Sequence, residues 1–164
     1  MASKYSMNDR PSWPRRAIVT AGEPYGNKGL HFGHVGGVFV PADFFARFLR
    51  DRLGRENVIF TSGTDCYGSP IMESYRKLKE NEGYDKSISE YVESNHSRQA
   101  KTLNNYNISC DIYGGSGLEP AARIHNEVTA EIIERLHEQG TISKRSTLQF
   151  YDAKAGTFLN GRQV

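Results

Sequence analysis

Apolar residues along the chain fall into two patterns, short unbroken runs and stretches that repeat every three or four positions. Ala17-Ile18-Val19-Thr20, within residues 15–21, is a run of the first kind and fits a buried strand. Val35, Val38, Phe39, Ala42, Phe45, Ala46, Leu49 and Leu53 then recur at helical spacing, and Gly54 ends the pattern. Pro41 lies inside it and removes a backbone donor, which costs about 3 kcal/mol in a helix interior. The expectation is a kink, or a helix whose regular part starts near Pro41. Residues 57–62 read as a second buried strand. Ser69 and Pro70 suit the N-cap and first position of a helix that carries Ile71, Met72, Tyr75 and Leu78 on one face. Ser87 with Glu90 fits a capping box, which opens a polar helix to about Asn105. Residues 110–113 suit a short strand and residues 114–117 a glycine-rich loop. Ile124, Val128, Ile132 and Leu136 step by four along a last helix that stops at Gly140. Residues 147–151 and 157–163 look extended, around a turn at 152–156.

Strands that alternate with helices predict an α/β fold, a parallel sheet covered on both faces. Ligands in such sheets sit beyond the carboxyl ends of the strands, and both glycine-rich loops, GEPYGNKGLHFGHVGG and GTDCYGSP, fall there. Composition narrows the class. With 37% hydrophobic residues, a chain of 164 residues can bury a real core, which excludes disorder of the whole chain. No run approaches the roughly 20 apolar residues of a membrane span, and the first residues lack the apolar centre of a signal peptide. Two cysteines, Cys66 and Cys110, make neither a disulfide framework nor a four-ligand zinc site, so a reducing, cytoplasmic setting is expected. The net charge of +2 is unevenly placed: residues 1–56 carry +4 and the remainder −2. A basic first third favours a phosphate-bearing ligand, although a solvated surface gives the same excess.

The first loop ends in His31-Phe32-Gly33-His34 at a helix start, where unpaired N–H groups and a partial positive charge attract phosphate. Histidines at i and i+3 occupy neighbouring positions, and each can donate to a phosphate oxygen. Gly33 leaves room for a flat ring to approach the backbone. In the second loop Asp65 follows a buried strand, where a carboxylate can hold an ammonium group or simply bond its own turn.

The combination is more specific than either loop. Tyr25, Asn27, His31, Gly33 and His34 make Y-x-N-x-x-x-H-x-G-H after one strand, and GTDxxGxPI arrives with the next. The pattern resembles the class I aminoacyl-tRNA synthetases, most closely methionyl-tRNA synthetase. Tyr106-Asn107-Ile108-Ser109-Cys110-Asp111 is similar to that family's F-N-I-S-x-D segment, and residues 150–159 to its L-Y-D-x-x-x-G-x-F-L segment. The resemblance covers about residues 17–164. It implies the first half of a Rossmann-like nucleotide-binding domain over residues 15–145, after a lead-in at 1–14, with a connective insertion beginning at 146–164.

The resemblance also implies a reaction: ATP, carrying Mg²⁺, activates an amino acid to the aminoacyl-adenylate, and the aminoacyl group passes to tRNA. His31 and His34 would act catalytically on the phosphates, with Asn27 and Gly33 completing the ATP site. Gly22, Glu23, Tyr25 and Asp65 would form the amino-acid site, with Asp65 on the ammonium group. Three departures bear on specificity. Glu23 stands where the family has a leucine that contacts methionine; Cys66-Tyr67 replace an acidic residue and a histidine; and Pro41 interrupts the helix after the histidines. The family's second motif, KMSKS, is not found, because Ile142-Ser143-Lys144-Arg145-Ser146 lies in the wrong place. Its zinc-knuckle cysteines are not found either, so no zinc site is expected in this segment. Three readings follow: the ATP- and methionine-binding part of a methionyl-tRNA synthetase, the same part of a paralogue with another substrate, or a non-catalytic nucleotide-binding fragment. Half a domain would also leave an apolar face that favours self-association. His96, His125 and His137 read as surface residues, Cys110 as a small buried hydrophobe, and Arg76, Lys77 and Lys79 as a solvated helix face.

Overall fold

A computed structural model describes residues 13–154 and 156–159. Strands β1 (Ala17–Thr20), β2 (Val58–Thr64) and β3 (Ile112–Gly115) form a parallel sheet in the order β1-β2-β3. A short helix α1 (Phe32–His34) runs through a π-helical segment (Val35–Phe39) into α2 (Val40–Leu53), the crossover from β1 to β2. Helices α3 (Ser69–Glu82) and α4 (Ile88–Asn105) connect β2 to β3, and α5 (Ala121–Glu138) follows. Strands β4 (Tyr151–Asp152) and β5 (Thr157–Phe158) make a separate antiparallel hairpin. The lead-in expected at 1–14 lies outside the described residues except for Trp13 and Pro14, as do residues 160–163 of the last extended stretch.

The core forms where one sheet face meets α2. Val19, Val58 and Phe60 pack with Ala46 and Leu49, and Ile108 and Cys110 close the edge of the cluster. The regular part of α2 does begin near Pro41, at Val40, and Pro41 sits in its first turn. Just before it the Val40 N–H donates to the Val35 carbonyl, five residues back, so the ladder is already dislocated where the proline lacks a donor. Phe45, expected on the core face, is exposed instead. The buried stripe after the π segment runs through Asp43, Ala46 and Leu49, about one residue round the helix.

Three further expectations are corrected. Gly114 and Gly115 belong to β3, paired with Gly63 and Thr64. Glycine reads as a loop residue, but a Cβ on Gly63 would lie 2.7 Å from the Gly114 carbonyl oxygen, so these two strands meet only without side chains there. The N-cap of α3 is Gly68, not Ser69, and Ser69 opens the helix without a side-chain cap bond. Coverage of both sheet faces is also incomplete among the described residues. On the face away from α2, α5 abuts Gly114 through Ala121. Ile18, Ile59 and Ile112 share that face by register and remain 71%, 45% and 55% exposed.

The segment before β3 is bolted to α2 by charge. Asn107 takes a left-handed conformation (φ 55°), which its side chain tolerates. The turn delivers Ser109 to buried Asp43, whose carboxylate accepts from both the Ser109 amide and hydroxyl. Asp111 then accepts from the Phe60 N–H at 2.7 Å, from Arg50 at 2.6 Å and from Arg55 at 2.6 Å. Burial alone would raise its pKa, but the bonds from Arg55, the Phe60 amide and Arg50 outweigh it and hold Asp111 at about 2.

Asp111→Asn, which keeps the shape and removes the charge, is expected to cost about 2 kcal/mol in urea unfolding, the scale of hydrogen bonds to a charged group. The folded pKa lies below the ordinary 3.8, so this contribution is complete above that value and is lost as the pH falls towards about 2. A shallower fall in stability between pH 4 and 2 in the Asp111→Asn chain than in the parent checks the assignment; the fall that remains comes from Asp43, Glu73 and Glu90, whose pKa values are also lowered.

Candidate active site

Both loops that the sequence singles out leave the same end of the sheet. The Asp65 N–H donates to the Pro24 carbonyl at 2.9 Å and the Gly26 N–H to the Asp65 carbonyl at 2.8 Å, a parallel bridge between Tyr25 and Asp65. Gly26 is pinched at this crossing, since a Cβ there would lie 2.9 Å from Val92 and 3.1 Å from Thr64.

The histidines build their own cap. His31 is the N-cap of α1, and its Nδ1 accepts from the Gly33 N–H at 3.1 Å. His34 reaches back, its Nδ1 accepting from the His31 N–H at 3.3 Å. The rings stack with centroids 3.8 Å apart. A ring whose Nδ1 accepts carries its proton on Nε2, so each imidazole keeps an Nε2–H donor for another partner. Burial, with His31 and Lys28 nearby, holds the His34 pKa below its ordinary value and so keeps that donor in the neutral form. Gly33 lies under the His31 ring: a Cβ there would sit 3.0 Å from it.

Gly22, Glu23, Pro24, Tyr25 and His34, with Val38 and Phe39, line a cavity of about 260 Å³. Four of the expected site residues therefore share one concave space. Glu23 belongs to its wall, with its carboxylate over Gly63. Asp65 stands beside the cavity as the residue bridged to Tyr25; its Oδ1 accepts from the Tyr67 N–H at 3.0 Å, the local turn bond that its position allows. Asn27 ties the first loop to α3 through its Nδ2 and the Ser74 hydroxyl at 3.2 Å. Cys66 and Tyr67 line a different, apolar cavity of about 320 Å³ with Ile71, Met72 and Val92, so Tyr67 does not narrow the one that holds Glu23.

The sequence reading missed what holds the first loop in place. Tyr91, Asn95 and Gln99 recur every four residues along α4. The Tyr91 hydroxyl donates to the Asn27 carbonyl, and Asn95 Nδ2 to the Gly26 carbonyl at 3.2 Å. Gln99 Nε2 donates to the carbonyls of Tyr25 at 2.9 Å and Lys28 at 2.8 Å. Four consecutive carbonyls are thus satisfied by one helix face. Gln99 Oε1 in turn accepts from the hydroxyls of Thr64 at 2.8 Å and Tyr113 at 2.9 Å. Burial chiefly pushes Tyr113 up to about 12, so its hydroxyl stays a donor.

His96, expected on the surface, is half-buried in the same network. Its Nδ1 lies 2.8 Å from the Thr64 Oγ, and its ring stacks on Tyr113. Burial lowers its pKa. The signal was present as a polar four-residue repeat, but alone it reads as a solvated stripe. His125 and His137 are exposed, as expected. Cys110 packs against the core, and burial pushes its thiol up to about 11. Arg76 pairs with Glu73 and Glu80, and Lys77 with Glu73, on an outer face of α3. Among the described residues no three His, Cys, Asp or Glu side chains converge as a metal centre, and no helix is long and apolar enough to cross a membrane.

The cap predicts a tautomer. Two-bond proton–nitrogen NMR at pH 7.5 is expected to show the proton on Nε2 of both His31 and His34; an Nδ1–H on either ring contradicts the geometry. On acidification the folded chain holds fewer protons than the unfolded one, because His34 and His96 titrate below the ordinary 6.5. Stability is therefore complete above pH 6.5 and is lost as the pH falls through their lowered values.

Similarity to known proteins follows the same residues. The family described as tRNA synthetases class I (M) matches residues 17–164. A methionine–tRNA ligase of Cytophaga hutchinsonii is 36% identical over 151 residues, which is 92% of this chain and 20% of that protein. Similar relatives named methionine–tRNA ligase occur in Bacteroides fragilis, 33% identical over 150 residues (92% of this chain, 20% of the relative), and in Pyrococcus abyssi, 37% over 149 residues (91% and 19%). The chain spans about 20% of the length of such relatives. With the parallel sheet, the histidine cap and the Asp65 loop all inside the matched stretch, the chain belongs to the class I tRNA synthetases of the M group.

Proposed function

We propose that the polypeptide carrying this chain is a methionine–tRNA ligase, in which residues 15–145 supply the first half of the nucleotide-binding domain and residues 146–164 open a connective insertion. The observation that carries this reading is the stacked His31–His34 cap, whose His34 lines one cavity with Gly22, Glu23 and Tyr25. Two Nε2–H donors held by backbone bonds suit the oxygens of a phosphate. Asn27 fixes the loop that presents them, and Gly33 lets the His31 ring lie against the turn, where a Cβ would sit 3.0 Å from it.

In the proposed reaction the carboxylate oxygen of methionine attacks the α-phosphorus of ATP. A new P–O bond forms, the bond to the β-phosphate bridge breaks, and pyrophosphate leaves. His31 and His34 stabilise charge as it develops on the phosphate oxygens, without rearranging at the moment of reaction. Asp65 holds the α-ammonium group and so aims the carboxylate. Mg²⁺ would be held by the triphosphate, whose charge it offsets. The aminoacyl group then passes to tRNA.

Glu23 favours a second reading on specificity alone. Glu23 is exposed, and a thioether that covered its carboxylate without giving it a partner would cost at least a few kcal/mol. A side chain that donates a hydrogen bond would avoid that cost. Amino-acid-dependent exchange of pyrophosphate into ATP, run with all twenty amino acids on whatever the reading frame encodes around this chain, separates the readings. Exchange with methionine alone supports the first; exchange with another amino acid supports the paralogue; no exchange with any sinks both and leaves a nucleotide-binding fragment.

In the same assay His34→Ala is expected to lower kcat by about 10²–10³-fold with a small change in the KM for methionine, the scale for losing one aimed donor. Asp65→Asn is expected to act mainly on the KM for methionine. Equal losses in both parameters for both variants would contradict these roles.

A further inference from the structure

We infer that Gln99 is a positioning residue that sets the spacing between the histidine loop and the Asp65 loop, an inference that deepens the activity proposed above and rests on it. Gln99 is fully buried at 0% exposure, and its amide is used on both sides. The Nε2 end holds the carbonyls of Tyr25 and Lys28, at the two ends of the turn that leads to His31. The Oε1 end holds the Thr64 hydroxyl, one residue before Asp65, and the Tyr113 hydroxyl on β3. The orientation is forced, because carbonyls can only accept and therefore require the NH₂ end. With both lone pairs of Oε1 filled by Thr64 and Tyr113, the Thr64 oxygen accepts from His96 Nδ1–H, which completes the network. Tyr91 and Asn95 hold the two intervening carbonyls but do not reach the strand side. Gln99 alone among these three spans both loops.

The ammonium group and the phosphates sit on different loops in the proposed reaction, so their relative placement decides how often carboxylate and phosphorus meet in line. A brace between the loops acts on that encounter more than on the binding of either substrate. Gln99 touches neither substrate in this account.

The test has two arms. Hydrogen exchange on the 164-residue chain compares the parent with Gln99→Met, which keeps the shape and loses both polar ends. The amides of Gly26 and Asp65, which form the loop-to-loop bridge, are expected to exchange about tenfold faster, as for loss of a net hydrogen bond, while Leu49 in the core of α2 changes little. Unchanged rates at Gly26 and Asp65, or equal acceleration at Leu49, overturn the inference. If Gln99→Met does not fold, Thr64→Val cuts only the strand side of the brace and is expected to give the same selective acceleration, with the same overturning results. In the pyrophosphate-exchange assay Gln99→Met is expected to lower kcat about 10–100-fold while the KM values for ATP and methionine change less than about threefold. A rise in KM with kcat intact contradicts the positioning role. A parent protein that activates no amino acid refutes the proposed function, while the exchange rates still decide whether Gln99 braces the loops.

Discussion

Four consecutive carbonyls, from Tyr25 to Lys28, face one side of α4, and the shape of the site depends on their finding donors there. A loop that leaves a parallel sheet has no ladder to join, and buried carbonyls without partners are costly. Tyr91, Asn95 and Gln99 answer that requirement at four-residue intervals, the spacing at which helical side chains share a face. Held this way, the loop presents the bridge to Asp65 on one side and the start of α1 on the other. The pinched crossing at Gly26 leaves no slack between them.

Beneath this arrangement the sheet itself needs an anchor, because among the described residues it has three strands. Asp43 and Asp111 supply it by tying the segment before β3 to α2 and to the Phe60 amide. That places β3, and with it Tyr113, where the hydroxyl reaches Gln99. The Asn-Ile-Ser-Cys-Asp stretch is thus a structural bolt whose effect arrives at the site through the brace. The bare face of Ile18, Ile59 and Ile112 shows that the described residues do not complete their own second layer.

The fold was legible in the sequence because its elements announce themselves by period: the run at Ala17–Thr20, the helical repeat into Leu53, the capping box at Ser87 and Glu90. The histidine and aspartate loops were legible because glycine-rich loops after buried strands have few other uses in an α/β sheet. Gly114 and Gly115 were not, since a strand that admits only glycine carries none of the usual strand signals. The α4 stripe was not, since Tyr, Asn, His and Gln at helical spacing look the same whether they meet water or a loop. Nothing local to α4 records that its partners lie about 70 residues earlier, as in the Gln99 to Lys28 and Tyr25 bonds (separations of 71 and 74).

The chemistry assigned to the site rests on geometry that backbone bonds fix in advance: two imidazoles turned so that Nδ1 faces the chain and Nε2 faces outward, next to a cavity walled by Gly22, Glu23 and Tyr25. The most direct test is a structure determined with a non-hydrolysable methionyl-adenylate analogue. The account predicts the analogue's phosphate-mimicking group within hydrogen-bond reach of Nε2 of His31 and His34, with its ammonium group on Asp65. An analogue seated in the apolar cavity of Cys66 and Tyr67, or one that leaves both Nε2 atoms untouched, would contradict it.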